Sequence, residues 1–324
     1  MRTFRALVPT FLLLLLVFGV PAFVAPWHGW FRSPGELIEV EIPRGTSQAG
    51  VAAELEKAGL IESPRQFRLL ARLHAADEPI QAGRYALRRD DAWKRWIEAM
   101  QAGKVVRLTL TIPEGTPSIL IAERLLANTA LTGPVNPPAE GAALPETYDF
   151  AKGEARSAVV DRMTAAMDRT LAELWPRRTS DAVVKTPQEA LILASIVEKE
   201  TGKGEERRMI AGVYSNRLRI GMKLDADPTV IYPVTKGKPL GRRILRSELD
   251  TDNGYNTYLK PGLPAGPIAN PGRASIEAVL DPAKTDALYF VADGSGGHVF
   301  AATLAEHNTN VARWYALRRS RGEM

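Results

Sequence analysis

The stretch Ala190–Leu218, ALILASIVEKETGKGEERRMIAGVYSNRL, decides how the rest of the chain is read. It opens as an apolar run and keeps helical spacing through Leu193, Ile196 and Val197. It then breaks into Glu198, Lys199 and Glu200, followed by a turn signal at Thr201-Gly202. Ile210, Val213, Tyr214 and Leu218 resume a helical pattern, so two helices joined by a short glycine-containing connection should pack against each other. Just upstream, Thr186-Pro187-Gln188-Glu189 offers a cap, a proline at the first helical position and a capping-box acceptor. The first helix is therefore predicted to run from Pro187 to about Thr201. Glu198 and Glu200 lie about 200° apart around such a helix, so both cannot enter one crevice. Glu200 extends the stripe of Leu193, Ile196 and Val197. Its charged form is then disfavoured and its pKa raised, as a general acid near neutral pH requires. A solvated glutamate paired with Lys199 or Arg207 fits the same spacing, and both readings stand at this point.

A chain of 324 residues with 45% hydrophobic content has room for two domains, each with its own core. The net charge of +5 suits work near anionic polymers or a membrane surface. No long Lys/Arg run or aromatic RNP-like motif argues for nucleic acid. The absence of cysteine excludes disulfides, thiolate nucleophiles and cysteine-ligated metals. At the amino end, Arg2 and Arg5 precede the uncharged run Ala6–Ala25. Such a run reaches roughly 30 Å as a helix, enough to cross a bilayer core. The flanking arginines keep the amino end in the cytoplasm and export the rest. Trp27, Trp30 and Phe31 are expected at the headgroup boundary. The small residues Ala22 and Ala25 leave a cleaved signal peptide as the alternative; the length of the run favours an uncleaved anchor over residues 1–32. The remainder then lies in a periplasmic compartment without ATP, which removes kinases from consideration.

The globular part contains a repeat. Val40-Glu41-Ile42-Pro43-Arg44-Gly45-Thr46 recurs as Leu110-Thr111-Ile112-Pro113-Glu114-Gly115-Thr116, and each copy leads into an amphipathic helix capped near Ser47 or Ser118. The first copy continues through a helix starting at Ser63-Pro64, a return strand at Ala82–Leu87 and a helical face of Trp93, Trp96 and Ile97. Residues 36–105 resemble the strand-helix-helix-strand modules of LysM type that bind N-acetylated glycans. A packed structural domain without ligand fits the pattern equally. The second copy, within residues 106–180, shows no obvious return strand, and Pro137–Tyr148 reads as a loop. Val159–Trp175 is helical at core spacing. The fold class is α+β: a transmembrane helix, a LysM-like module, then a mixed α+β catalytic domain over residues 181–324.

The later segments are the most informative. Asn216-Arg217-Leu218 leads through Leu224 into Asp225-Ala226-Asp227-Pro228-Thr229-Val230-Ile231-Tyr232. Tyr255-Asn256-Thr257-Tyr258, Gly262–Gly272 and Leu288–Phe300 follow. In this order, with Glu-Lys-Glu-Thr at 198–201, the chain closely resembles the endolytic murein transglycosylases of the MltG or YceG-like family, from about residue 35 to 320. That resemblance implies cleavage of the β-1,4 bond between N-acetylmuramic acid and N-acetylglucosamine, leaving a 1,6-anhydro end. It implies Glu200 as the acid/base. It also implies a membrane-held enzyme that terminates nascent glycan strands beside peptidoglycan synthases, the penicillin-binding proteins. No cofactor is expected.

The other positions carry alternatives. Glu198, Asp225 and Asp227 are candidates for a second carboxylate if the product is hydrolytic. Asp227-Pro228 also reads as a helix cap and first-turn proline, with Thr229 beside it. Tyr232, Tyr255 and Tyr258 either line a sugar groove or belong to the core. Asn256 either bonds an N-acetyl group or closes a turn. Asn216 either orients Glu200 or satisfies backbone. His298 opens the return strand of a glycine hairpin and is a substrate-contact candidate; with Asp293 and His307 it forms no defensible metal-ligand spacing. The rivals to transglycosylation are a muramidase using water and a non-catalytic glycan-binding scaffold of the wall-synthesis complex.

Overall fold

A computed structural model describes residues 11, 13–30, 35–74 and 78–323. Among them are twelve α-helices and three two-stranded sheets, a mixed α+β architecture. The helices are α1 Val20–His28, α2 Gln48–Lys57, α3 Pro64–His74, α4 Trp93–Gln101, α5 Ser118–Ala127, α6 Arg156–Leu174, α7 Pro187–Glu200, α8 Arg207–Arg219, α9 Asp227–Thr235, α10 Arg246–Leu249, α11 Arg273–Leu280 and α12 Leu304–Ser320. The strands are β1 Leu37–Ile42, β2 Gly83–Arg88, β3 Arg107–Thr111, β4 Thr147–Ala151, β5 Tyr289–Ala292 and β6 His298–Ala301. The chain divides into one unit of residues 1–108 with 149–153, and a second of 109–148 with 154–324.

In the first unit β1 and β2 are antiparallel, with Val40 opposite Tyr85 and Ile42 opposite Gly83. Strand alternation turns Val40, Ile42, Tyr85 and Leu87 inward. They meet Val51 and Leu55 of α2, Phe67 and Leu70 of α3, and the Trp96–Met100 face of α4. The end of α1 is also part of this core. Trp27 is 2% exposed within the cluster, and Gln66 donates a 2.6 Å bond to the Phe23 carbonyl. This corrects the expectation of a headgroup position for Trp27: an indole covered by a packed module gains more from burial than from an interface. Trp30 is half exposed and stacks on His28; Phe31, Arg2 and Arg5 lie outside the described residues. Among the described residues no helix is long and apolar enough to cross a membrane. The part of the uncharged run that is described is helical from Leu13 onward, with a π-helical turn at Leu15–Gly19.

The second copy of the repeat completes itself as well. β3 pairs with β4, and beyond the strands the Ile112 N–H donates to the Glu146 carbonyl at 2.9 Å. The return strand that the second copy seemed to lack is therefore Thr147–Ala151, reached through the proline-rich loop. α7, α8 and α11 pack on one another. The Thr186 hydroxyl caps α7 by accepting from Glu189 N–H. Glu189 does not close the capping box; it reaches back to Lys185 N–H instead, at 2.6 Å. Buried Ser195 accepts from Ile268 N–H at 3.0 Å, which ties the loop before α11 to the middle of α7. The β5–β6 hairpin, Tyr289 opposite Ala301, packs with α12.

Candidate active site

Glu200 is the last residue of α7, where the apolar stripe of the helix ends. Its carboxyl accepts a hydrogen bond from the Tyr214 hydroxyl of α8. Tyr214 is itself buried, its ring edge-on to Phe290 at 5.8 Å between centroids. Burial pushes the Glu200 pKa up to about 7. The Tyr214 bond and the Arg217 charge work against that rise, and the Asp227 charge adds to it. Glu200 keeps partial solvent contact, so it is crowded by protein yet reachable.

Three elements deliver these neighbours. Arg217, on the buried side of α8, is clamped by backbone: its Nε donates to the Leu288 carbonyl at 2.7 Å and its Nη1 to the Leu224 carbonyl at 2.8 Å. It also meets Asp225 at 3.5 Å. Asp225 lies in the left-handed region at φ 48, a conformation that aspartate tolerates but that commonly marks a functional turn. Burial pushes the Asp225 carboxyl up, against the pull of Arg217. Two residues on, Asp227 occupies the first position of α9, not the cap. Ala226 is the cap residue, and no side chain caps that end. A carboxylate in a first turn is favoured by the helix dipole, and its oxygen is left free to accept from the Tyr258 hydroxyl at 2.6 Å. Burial and the charges of Asp227, Asp225 and Glu200 hold the Tyr258 hydroxyl firmly protonated. The structure thus brings together Glu200, Asp227 and Tyr258 from the predicted set, and adds Tyr214 and Arg217. Tyr214 was missed because its spacing reads as core; the only signal was a hydroxyl at a buried helical position, which ought to find a partner.

The remaining candidates have their hydrogen-bond partners outside this cluster. Glu198 accepts from Gly272 N–H at 2.9 Å and from the Ser275 hydroxyl at 2.7 Å, with Arg207 at 3.4 Å. It anchors the N-terminus of α11 and does not act beside Glu200, as expected for opposite sides of one helix. Asn216 donates to the Thr285 and Ala287 carbonyls and does not orient Glu200. Asn256 donates to three carbonyls, those of Glu248, Leu249 and Thr251, closing the turn. Thr229 is fully buried and bonded to Ala226 and Thr257. The His298 Nδ1 is 2.8 Å from Glu206. Burial works to raise the Glu206 pKa, but its bonds from His298 and Thr201 outweigh it and hold the carboxylate low. No group of side chains among the described residues is arranged to hold a metal ion.

Tyr232 and Tyr255 form a second cluster, with ring centroids 5.0 Å apart. The Tyr232 hydroxyl bonds Glu140, a carboxyl the sequence reading passed over inside the loop. Glu140 also accepts from Ser118 N–H at 3.0 Å and from Asn270 Nδ2 at 3.1 Å. Burial holds its pKa up. Tyr232 lines a cavity of about 440 Å³ that also includes Lys199 and Pro228, immediate neighbours of Glu200 and Asp227 in the chain.

The chain matches known proteins over most of its length. The model of the YceG-like family matches residues 40–313. A Bacillus subtilis protein named endolytic murein transglycosylase is 30% identical over 304 residues, covering 84% of this chain and 83% of that protein. A Streptococcus pneumoniae protein of the same name is 32% identical over 326 residues, covering 86% of this chain and 58% of that longer protein. The crystal structure of a yceG-like protein from Listeria monocytogenes, 31% identical, covers 85% of this chain and 99% of that one at a TM-score of 0.53.

Proposed function

This chain belongs to the YceG-like family, and from that premise we propose that it is an endolytic murein transglycosylase whose acid/base group is Glu200. The observation that carries the assignment is the setting of that carboxyl: desolvated, hydrogen-bonded by Tyr214, and held between the charges of Asp227 and Arg217. Such a group keeps its proton near neutral pH, as a general acid must.

In the reaction, protonated Glu200 gives its proton to the glycosidic oxygen as the bond from C1 of N-acetylmuramic acid to that oxygen breaks. The resulting carboxylate takes the proton of the same sugar's C6 hydroxyl, whose oxygen closes on C1. The product is a 1,6-anhydro end. Intramolecular attack has a high effective molarity, so no enzymic nucleophile is needed. Asp227 stabilises positive charge developing near C1, and Tyr214 fixes the carboxyl in one orientation.

Asp227 also favours a second reading. A further carboxylate beside Glu200 is what a hydrolytic muramidase uses to activate water. The products separate the two: mass analysis of fragments released from purified peptidoglycan gives anhydro ends for transglycosylation and free reducing ends for hydrolysis. Glu200→Gln abolishes release in either case; if that variant digests sacculi at the wild-type rate, Glu200 is not the acid/base.

We infer that the protein works outside the cytoplasmic membrane, held there by its amino-terminal helix. Phe11, Leu13, Leu16 and Phe18 are exposed on a segment without charge, a surface that lipid would cover and water would not. Anchored there, the enzyme meets glycan strands as synthases extend them, and each cut sets a strand's length.

A further inference from the structure

The cavity lined by Lys199 and Pro228, the chain neighbours of Glu200 and Asp227, is walled largely by apolar side chains, among them Pro117, Leu120, Ile231 and Ile268, together with Tyr232. The Tyr232 hydroxyl is committed to Glu140, and its ring, packed on that of Tyr255, lines the cavity. Three charged residues stand around the cavity. Glu114 is held by Arg207 at 2.9 Å and Lys238 by Glu123 at 2.6 Å. Among the described residues Lys199 has no ion-pair partner; it is exposed and lies next to Glu200 in the chain. Its stem passes against the buried Gly115 turn, so the ammonium is carried on a supported side chain.

Resting on the transglycosylase reading, we propose that this cavity receives the stem peptide carried by the muramic acid residue at the cut, with Lys199 recognising a peptide carboxylate. The argument is one of complementarity. A short peptide of small apolar residues bearing free carboxylates matches an apolar trough that carries the ammonium of Lys199. In a peptide-bearing strand the lactyl carboxyl is already an amide, so the carboxylates left for that cation are the peptide's own. A compact, flexible ammonium suits a single carboxylate in varied orientations.

The test compares peptide-bearing strands with the same strands after carbodiimide-mediated amidation of their peptide carboxylates. Wild type is expected to lose about fivefold in kcat/KM on amidation, the upper range for a solvent-exposed ion pair. Lys199→Ala starts at the lower value and shows no further loss on amidation, while Lys199→Arg keeps the sensitivity. If wild type is indifferent to amidation, or Lys199→Ala remains as sensitive as wild type, the assignment is overturned. A failure of the underlying reading looks different: Glu200→Gln would then retain activity on both kinds of strand.

Discussion

Glu200 is held protonated at a cost to the fold. Its pKa is pushed from an ordinary carboxyl value up to about 7. Below an ordinary carboxyl pKa both folded and unfolded chains carry the proton and nothing is lost. As pH rises toward 7 the unfolded chain ionises first, and above 7 the native state must bear a desolvated charge. By linkage that penalty reaches on the order of 3 kcal/mol. Glu200→Gln should therefore raise the melting temperature at pH 8 to 9 and leave it unchanged at pH 4, in paired thermal scans. The neighbours should move the alkaline limb of activity in opposite directions. Asp227→Asn removes a charge that raises the Glu200 pKa, so that limb shifts to lower pH. Tyr214→Phe removes a bond that lowers it, so the limb shifts higher. Parallel shifts in the pH profiles would refute the arrangement. Glu200 was legible in the sequence because an apolar stripe ending in a carboxyl is a local pattern. Tyr214 was not, because periodicity shows that a side chain is buried and says nothing of what its hydroxyl meets. Asn216 and Asn256 were ambiguous for the same reason, and their amides went to backbone carbonyls.

At the scale of elements, α7 serves two neighbours from opposite sides. Glu200 faces α8 and α9, while Glu198 receives the amino end of α11. Glu198→Ala strands Gly272 N–H and weakens the hold on Arg207, whose side chain is only 17% exposed. A loss of about 3 kcal/mol is expected, read as a lower denaturation midpoint, with the pH limbs of the remaining activity unmoved. A moved limb would mean that Glu198 belongs to the chemistry after all. Start signals such as Thr186-Pro187 and Ser47 were legible because capping is settled within four residues. The register at Asp227-Pro228 was misread by one position: Ala226 takes the cap and sets Asp227 free for Tyr258. β4 escaped notice because strand pairing is a long-range choice, and nothing in Thr147–Ala151 alone distinguishes a strand from the end of a loop.

For the whole molecule, the first unit takes its amino-terminal helix into its own core. Trp27 packs there with Val40, Phe67 and Trp93, so the helix is not a loose tether. Trp27→Ala should cost the first unit about 4 kcal/mol, seen as an earlier melting transition or faster amide exchange in residues 37–101. Unchanged exchange there would show that the helix adds nothing to the module. This docking could not be read from the sequence, because a tryptophan following an apolar run looks the same whether lipid or protein covers it.

The duplicated Pro-x-Gly-Thr turn has the same internal bonding in both copies. Thr46 and Thr116 each donate a 2.6 Å hydroxyl bond to the proline carbonyl, with glycines at φ 74 and 70. Their surroundings differ. Nothing approaches Gly45, whereas Gly115 backs onto Glu198 and Lys199 and donates its N–H to the Asn270 carbonyl at 2.9 Å. The free copy is thus a permissive port: a fluorophore or affinity peptide threaded in after Arg44 would hang in solvent and report on a working enzyme. The identical graft after Glu114 would pry at the last turn of α7 and silence it.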